Sequence, residues 1–239
     1  MCTLTFVPLG RSNFVLTSNR DEAPSRETLA PDFYFEGDSK LLYPKDKLAG
    51  GTWIGVSSKK RLVCLLNGGF AKHELQDNYR LSRGVVVKDL LTSNHLLNTI
   101  DAYNLIDIEP FTVVMIEWQK DLQLFELVWD GIVKHVKKLP MKPQVWSSSA
   151  LYSEAMKQSR INWFQEFQEQ NKLNPESILE FHKTAGANQM DYGVIMDRGF
   201  VKTTSITQVV KIGEMVDMEF LNLLNDQLSQ ATFDFEQSI

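Results

Sequence analysis

No apolar run in this chain approaches the ~20 residues that a membrane-crossing helix needs, so helical membrane insertion is not expected. The N-terminus also lacks a basic segment followed by an export-signal core, because Ser12, Asn13, Asn19, Arg20 and Asp21 interrupt any such stretch. Cysteine is scarce, with only 2 in 239 residues. A reducing, cytoplasmic setting is therefore expected, and a Cys2–Cys64 disulfide is not. Basic excess is missing too: 25 Lys and Arg stand against 30 Asp and Glu, a net charge of −5. That balance excludes a general nucleic-acid or anionic-membrane surface, and Lys59-Lys60-Arg61 and the lysines of 134–142 read as solvated faces. His73, His95, His135 and His182 are far apart and show no metal-ligand spacing. A GxSxG elbow and a dinucleotide fingerprint are absent, and Gly50-Gly51-Thr52-Trp53-Ile54-Gly55 lacks the Gly-Lys-Ser/Thr ending of a phosphate loop. No cofactor is expected, and the expected partner is a small-molecule substrate or ligand.

What is present is an ordinary globular composition, 43% hydrophobic and 23% charged. Without repeats, low-complexity tracts or an obvious linker, residues 1–239 read as one domain. Cys2 to Pro8 and Asn13 to Ser18 read as a hairpin, and Arg20 to Leu48, polar and proline-bearing, as a long surface loop. Thr52 to Ser57 with Arg61 to Leu66, and Phe111 to Trp118 with Leu122 to Trp129, form two more hairpins. A strand at Ile132 to Val136 follows the Asp130-Gly131 turn. Helices are predicted from an N-cap at Ser82 to about Asn94, and from Ser153 to about Gln170. A third follows Asn174-Pro175, with Gly186 as its stop. Late strands are expected at Tyr192 to Met196 and Ser205 to Lys211. Hairpins rather than βαβ alternation predict an α+β fold of antiparallel sheets with helices packed outside them.

Chemistry centres on Cys2. With Met1 removed, one residue carries both a thiol and a free α-amine of pKa near ~8, able to accept the thiol proton. On the residue alone, Cys2 reads first as a small hydrophobe in a core strand. The first hairpin bears on the choice. Turns at Gly10-Arg11, at Gly10-Arg11-Ser12 or at Arg11-Ser12 set Cys2 opposite Asn19, Arg20 or Asp21 respectively, so Asn19-Arg20-Asp21-Glu22 lies within reach in every register. A guanidinium beside sulfur favours the thiolate, and a carboxylate can orient the arginine or hold the ammonium. The four residues read alternatively as a solvated strand exit. Asn67-Gly68-Gly69 follows the apolar run Leu62 to Leu66 and can aim the Asn67 amide and nearby N–H groups at an oxyanion, or form an ordinary turn. Trp53 packs in the core or lines a pocket. Cys64, within the same apolar run, reads as inert packing.

Met1-Cys2, Asn19-Arg20-Asp21-Glu22, the Gly50–Gly55 segment and Leu66-Asn67-Gly68-Gly69 together resemble the NRDE family, which includes the transport and Golgi organization 2 proteins. The resemblance runs on through Trp146-Ser147-Ser148-Ser149 and Thr203-Thr204-Ser205-Ile206. It implies the αββα sandwich of the N-terminal-nucleophile hydrolases, whose cysteine-led members cleave linear amides. Carried over, Cys2 is nucleophile and base, Arg20 and Asp21 support it, and Asn67 matches an oxyanion position. Asn19, Glu22, Trp53 and Gly68 stand around the substrate. Where many relatives carry Ser-Asn this chain has Ser148-Ser149, which removes an asparagine amide as second oxyanion donor. The implied function is a cysteine amidohydrolase. The alternative it implies is a non-catalytic carrier of the same fold for haem, an acyl thioester or another apolar metabolite.

Overall fold

The computed structural model describes residues 3–76 and 78–236; Cys2 lies outside the described residues. The first hairpin is as expected, with β1 at Thr3–Pro8 and β2 at Phe14–Glu22. Leu9 N–H donates to the Asn13 carbonyl at 2.8 Å, and Thr3 pairs with Asn19 through to Pro8 with Phe14. This is the register of the Gly10-Arg11-Ser12 turn, with Gly10 at φ 87°. The tetrad is not a solvated exit: Asn19, Arg20 and Asp21 are buried within β2, a strand flanked by others on both sides.

The expected loop from Arg20 to Leu48 is instead a hairpin of β3, Thr28–Glu36, and β4, Ser39–Asp46. Gly37, at φ 61°, supplies the tight turn. Pro31 is tolerated because β3 is a sheet edge and its pairing shifts between Leu29 and Asp32. β5, Ile54–Ser57, and β6, Arg61–Asn67, make the second expected hairpin. β7, Phe111–Glu117, and β8, Gln123–Trp129, make the third, continued by β9, Lys134–Leu139. Three strands without a sequence expectation complete the set: β10 at Gln144–Ser147, β12 at Met215–Asn222 and β13 at Gln227–Asp234, with β11 at Lys202–Ile212.

These strands form two antiparallel sheets, one of order β10-β1-β2-β11-β12-β13 and one running β3 to β9 in sequence order. Helix α1, Arg83–Thr92, is capped by Ser82, whose side chain accepts from Gly84 N–H. It packs on β5 and β6, with the short α2, Leu96–Ala102, beside it. Helices α3, Glu154–Gln170, and α4, Pro175–Thr184, cover the other sheet; Asn174 caps α4 in a capping box with Ser177. The result is an αββα sandwich. Side chains alternate across β2: Phe14 and Leu16 join the large core that includes the inter-sheet residues, while Val15 joins a second cluster with Phe164, Ile178 and Phe181 of the helices. Continuing that alternation puts Arg20 on the inter-sheet face and Asn19 and Asp21 on the helix face.

Tyr192 to Met196 is irregular backbone rather than a strand. Its carbonyls are taken by side chains: Arg160 donates to Tyr192 and Gly193, and Asn19 to Val194. β11 meets the segment at its end, where Thr203 N–H donates to the Met196 carbonyl at 2.9 Å.

Candidate active site

Arg20 is 3% exposed, and its Nη2 lies 2.8 Å from Asp46 Oδ2. Asp46 is held in turn by the N–H groups of Leu48 and Ala49 at 3.1 and 2.8 Å. Arg26 Nε approaches the same Asp46 oxygen at 2.7 Å, while Glu22 stands 3.3 Å from Arg26 and 3.7 Å from Arg20. Two guanidinium groups thus share two carboxylates. The Arg20 guanidinium also lies over the Trp53 ring, 4.6 Å from its centroid. Burial pulls the Arg20 pKa below its ordinary value, opposed by Glu22 and Asp46, and the group stays charged.

Asn67 ends β6 on the opposite sheet, yet it lines the same cleft as Arg20, Glu22 and Trp53. Its carbonyl accepts from Ser148 Oγ at 2.6 Å, tying the two sheets together. Gly68 adopts φ 87°, and a Cβ there would sit 2.4 Å from Ser149 Oγ and 2.7 Å from Ala150 N, so only glycine fits. The Gly68 N–H is held by the Pro110 carbonyl at 3.0 Å, and Ser149 Oγ donates to the Gly69 carbonyl at 2.6 Å. Arg83, at the start of α1, closes the far side of the cleft and pairs with Glu109 at 2.9 Å.

Asn19 and Asp21 are brought together on the other face of β2. Asn19 Nδ2 donates to Val194 and His182 carbonyls, and its Oδ1 accepts from His182 Nδ1. Asp21 accepts from Thr203 Oγ1 at 2.6 Å and from the Tyr152 hydroxyl at 2.5 Å. The Tyr152 ring lies 3.6 Å beneath the fully buried Arg160 guanidinium, whose Nη1 donates to Thr3 Oγ1 at 2.8 Å. Sequence reasoning passed over Arg160, Tyr152 and His182. The signal for Arg160 was its spacing, since it shares with Phe164 the buried stripe of α3. Burial, with Arg160 nearby, lowers the His182 pKa to about 3, whereas the Cys64 thiol, also fully buried, is pushed up to about 12. Among the described residues, no group of three or more His, Cys, Asp or Glu could hold a metal ion.

A family model for Transport and Golgi organisation 2 matches residues 1–202. The chain belongs to that family. A Transport and Golgi organization protein 2 homolog from Bos taurus is 32% identical over 102 residues, a match covering 39% of this chain and 36% of that protein. Among solved structures, an N-acylethanolamine-hydrolyzing acid amidase ortholog from Caenorhabditis elegans aligns at TM-score 0.57 and 13% identity, covering 87% of this chain and 92% of that one. A conjugated bile acid hydrolase from Clostridium perfringens aligns at 0.57 and 10% identity, covering 99% and 93%. Penicillin V acylase from Agrobacterium tumefaciens aligns at 0.57 and 8% identity, covering 99% and 87%. At such identities the likeness is one of fold: this Transport and Golgi organisation 2 family member has the sandwich of the N-terminal-nucleophile hydrolases. No helix among the described residues is long and apolar enough to cross a membrane.

Proposed function

We propose that this protein is a cysteine amidohydrolase acting on a linear amide of a small metabolite, with the whole chain as one functional unit. The observation that carries the reading is the meeting of Arg20 and Asn67, from different sheets, in one cleft of a fold shared with amide-cleaving enzymes. In this reading Met1 is removed and the Cys2 α-amine takes the thiol proton. The thiolate attacks the amide carbon, and the Asn67 amide steadies the oxyanion. The C–N bond breaks, the amine leaves with the proton, and water releases the acid from the thioester. Arg20 favours the thiolate, and Asp21, fixed by Thr203 and Tyr152, holds the ammonium end of Cys2. Glu22 and Trp53 border the substrate by setting Arg20 in place, and Asn19 and Gly68 act through the backbone they support.

The test combines intact mass with release of free amine from a panel of N-acyl amino acids. A mature chain beginning at Cys2, turning over at least one of these amides and losing that turnover as Cys2→Ala while staying folded, is expected. Turnover that survives Cys2→Ala, or a chain retaining Met1 with no turnover, overturns the proposal. A carrier reading is favoured by one observation: Ser149 Oγ is spent on the Gly69 carbonyl and offers no second oxyanion donor. Micromolar binding of haem or an acyl thioester without turnover is its expected result.

A further inference from the structure

Beyond Asn67 the surface opens into a second, larger space. Ser149 and Ala150, whose neighbour Ser148 and own N–H engage the Asn67 carbonyl, also line a groove of about 630 Å³. The cleft at Arg20 is about 80 Å³ by the same measure, room for a small polar group only. Phe70, Leu151, Met156 and Phe200 wall the groove, and Tyr152, the partner of Asp21, forms part of its lining. Phe200 is 75% exposed and Phe70 51%, a large apolar area left facing water.

Three cations and one carboxylate border those apolar walls. Lys157 is occupied, bound to Glu154 at 2.7 Å. Lys72 has no ion pair among the described residues, and Arg198 spends Nε and Nη1 on the Asp191 and Leu151 carbonyls. Arg198 Nη2 is covered and has no acceptor. A covered guanidinium donor without an acceptor is costly, and a carboxylate is the group that best satisfies it.

We propose that this groove binds an amphiphilic carboxylic acid, its apolar body against Phe70, Leu151, Met156 and Phe200 and its carboxylate at Arg198 and Lys72. The inference deepens the amidohydrolase reading, since it assigns the substrate an apolar acyl portion bearing an acidic group. The binding itself does not depend on turnover.

Calorimetric titration of the folded Cys2→Ala protein with decanoate, decan-1-ol and acetate tests it. Decanoate is expected to bind saturably with a micromolar Kd, acetate not to bind, and decanol to bind about tenfold more weakly, the margin of one charge-assisted hydrogen bond. Arg198→Met is expected to raise the decanoate Kd about tenfold and leave decanol unchanged. Because Arg198 also ties two carbonyls, Lys72→Glu on the exposed rim is the second variant, with the same selective loss expected. No saturable decanoate binding to about 1 mM, or equal binding of acid and alcohol with no response to Lys72→Glu, overturns the proposal. Decanoate binding with no amide turned over by the wild type leaves the groove standing and removes the hydrolase; Cys2-dependent turnover without decanoate binding does the reverse.

Discussion

Acid is expected to weaken this fold through His182, by an amount that follows from its surroundings. The ring is fully buried, with Nδ1 against Asn19 Oδ1 and Nε2 2.8 Å from Thr5 Oγ1. Asn19 uses its amide nitrogen as donor to two carbonyls, so its Oδ1 is the acceptor and Nδ1 carries the imidazole proton. Nε2 is then the acceptor for Thr5, and the ring is neutral. A second proton would place a charge in a dry site near Arg160, which is why the folded pKa falls from 6.5 to about 3. The unfolded chain binds that proton near pH 6.5, so stability is complete above this value and declines as pH drops towards 3. Between pH 7.5 and pH 5 the loss is about 2 kcal/mol, worked from 1.36 kcal/mol per pH unit over the ~1.5 units below the unfolded pKa. Urea unfolding of wild type and His182→Gln, measured side by side across that range, isolates the contribution, because every other titrating group is common to both. The wild-type midpoint is expected to fall by about 0.7–1 M more than the variant's, for a slope near 2–3 kcal/mol/M. Parallel pH dependences for the two proteins would refute the buried neutral imidazole.

Two further results are expected. Gly68→Ala combines a positive φ with a close approach to Ser149 and Ala150 and should cost about 3 kcal/mol, whereas Gly10→Ala, with the same φ and nothing within 4 Å, should cost about 1. Equal urea midpoints for the two variants would show that the inter-sheet contact at Gly68 is slack. Cys64 of the Cys2→Ala protein should resist iodoacetamide at pH 8 and label only once urea unfolds the chain, as burial holds its thiol near 12; labelling of the folded protein would contradict that burial.

Much of the architecture was legible because local signals were strong. Ser82 and Asn174 each cap a helix where a cap was expected, and Ser153, expected as the first residue of its helix, is the cap, since a side-chain acceptor at a helix start works over a few residues. The hairpin of β12 and β13 had a readable signal that went unused: buried Val216, Met218 and Phe220 alternate with Asp217 and Glu219. The β3–β4 hairpin was hidden by Pro31 and Pro44, which are loop residues by composition and acceptable here by position. Tyr192 to Met196 misled in the opposite sense, because its strand-like side chains sit on a backbone whose carbonyls are claimed by Arg160 and Asn19.

The sequence by itself determined the class of fold, the antiparallel pairing of β1 with β2, and the four residues of β2 on which the candidate site depends. Each is a matter of near neighbours, of period and of turn chemistry. Only the tertiary structure decided which way those residues work. Strand alternation sends Arg20 between the sheets to Asp46 and Trp53, and turns Asn19 and Asp21 towards His182, Thr203 and Tyr152. The partners on both faces, Asp46 and Trp53 included, come from distant parts of the chain, and burial gives each contact its strength. No local pattern encodes a pairing across two sheets and a helical layer; it exists once packing has removed the water.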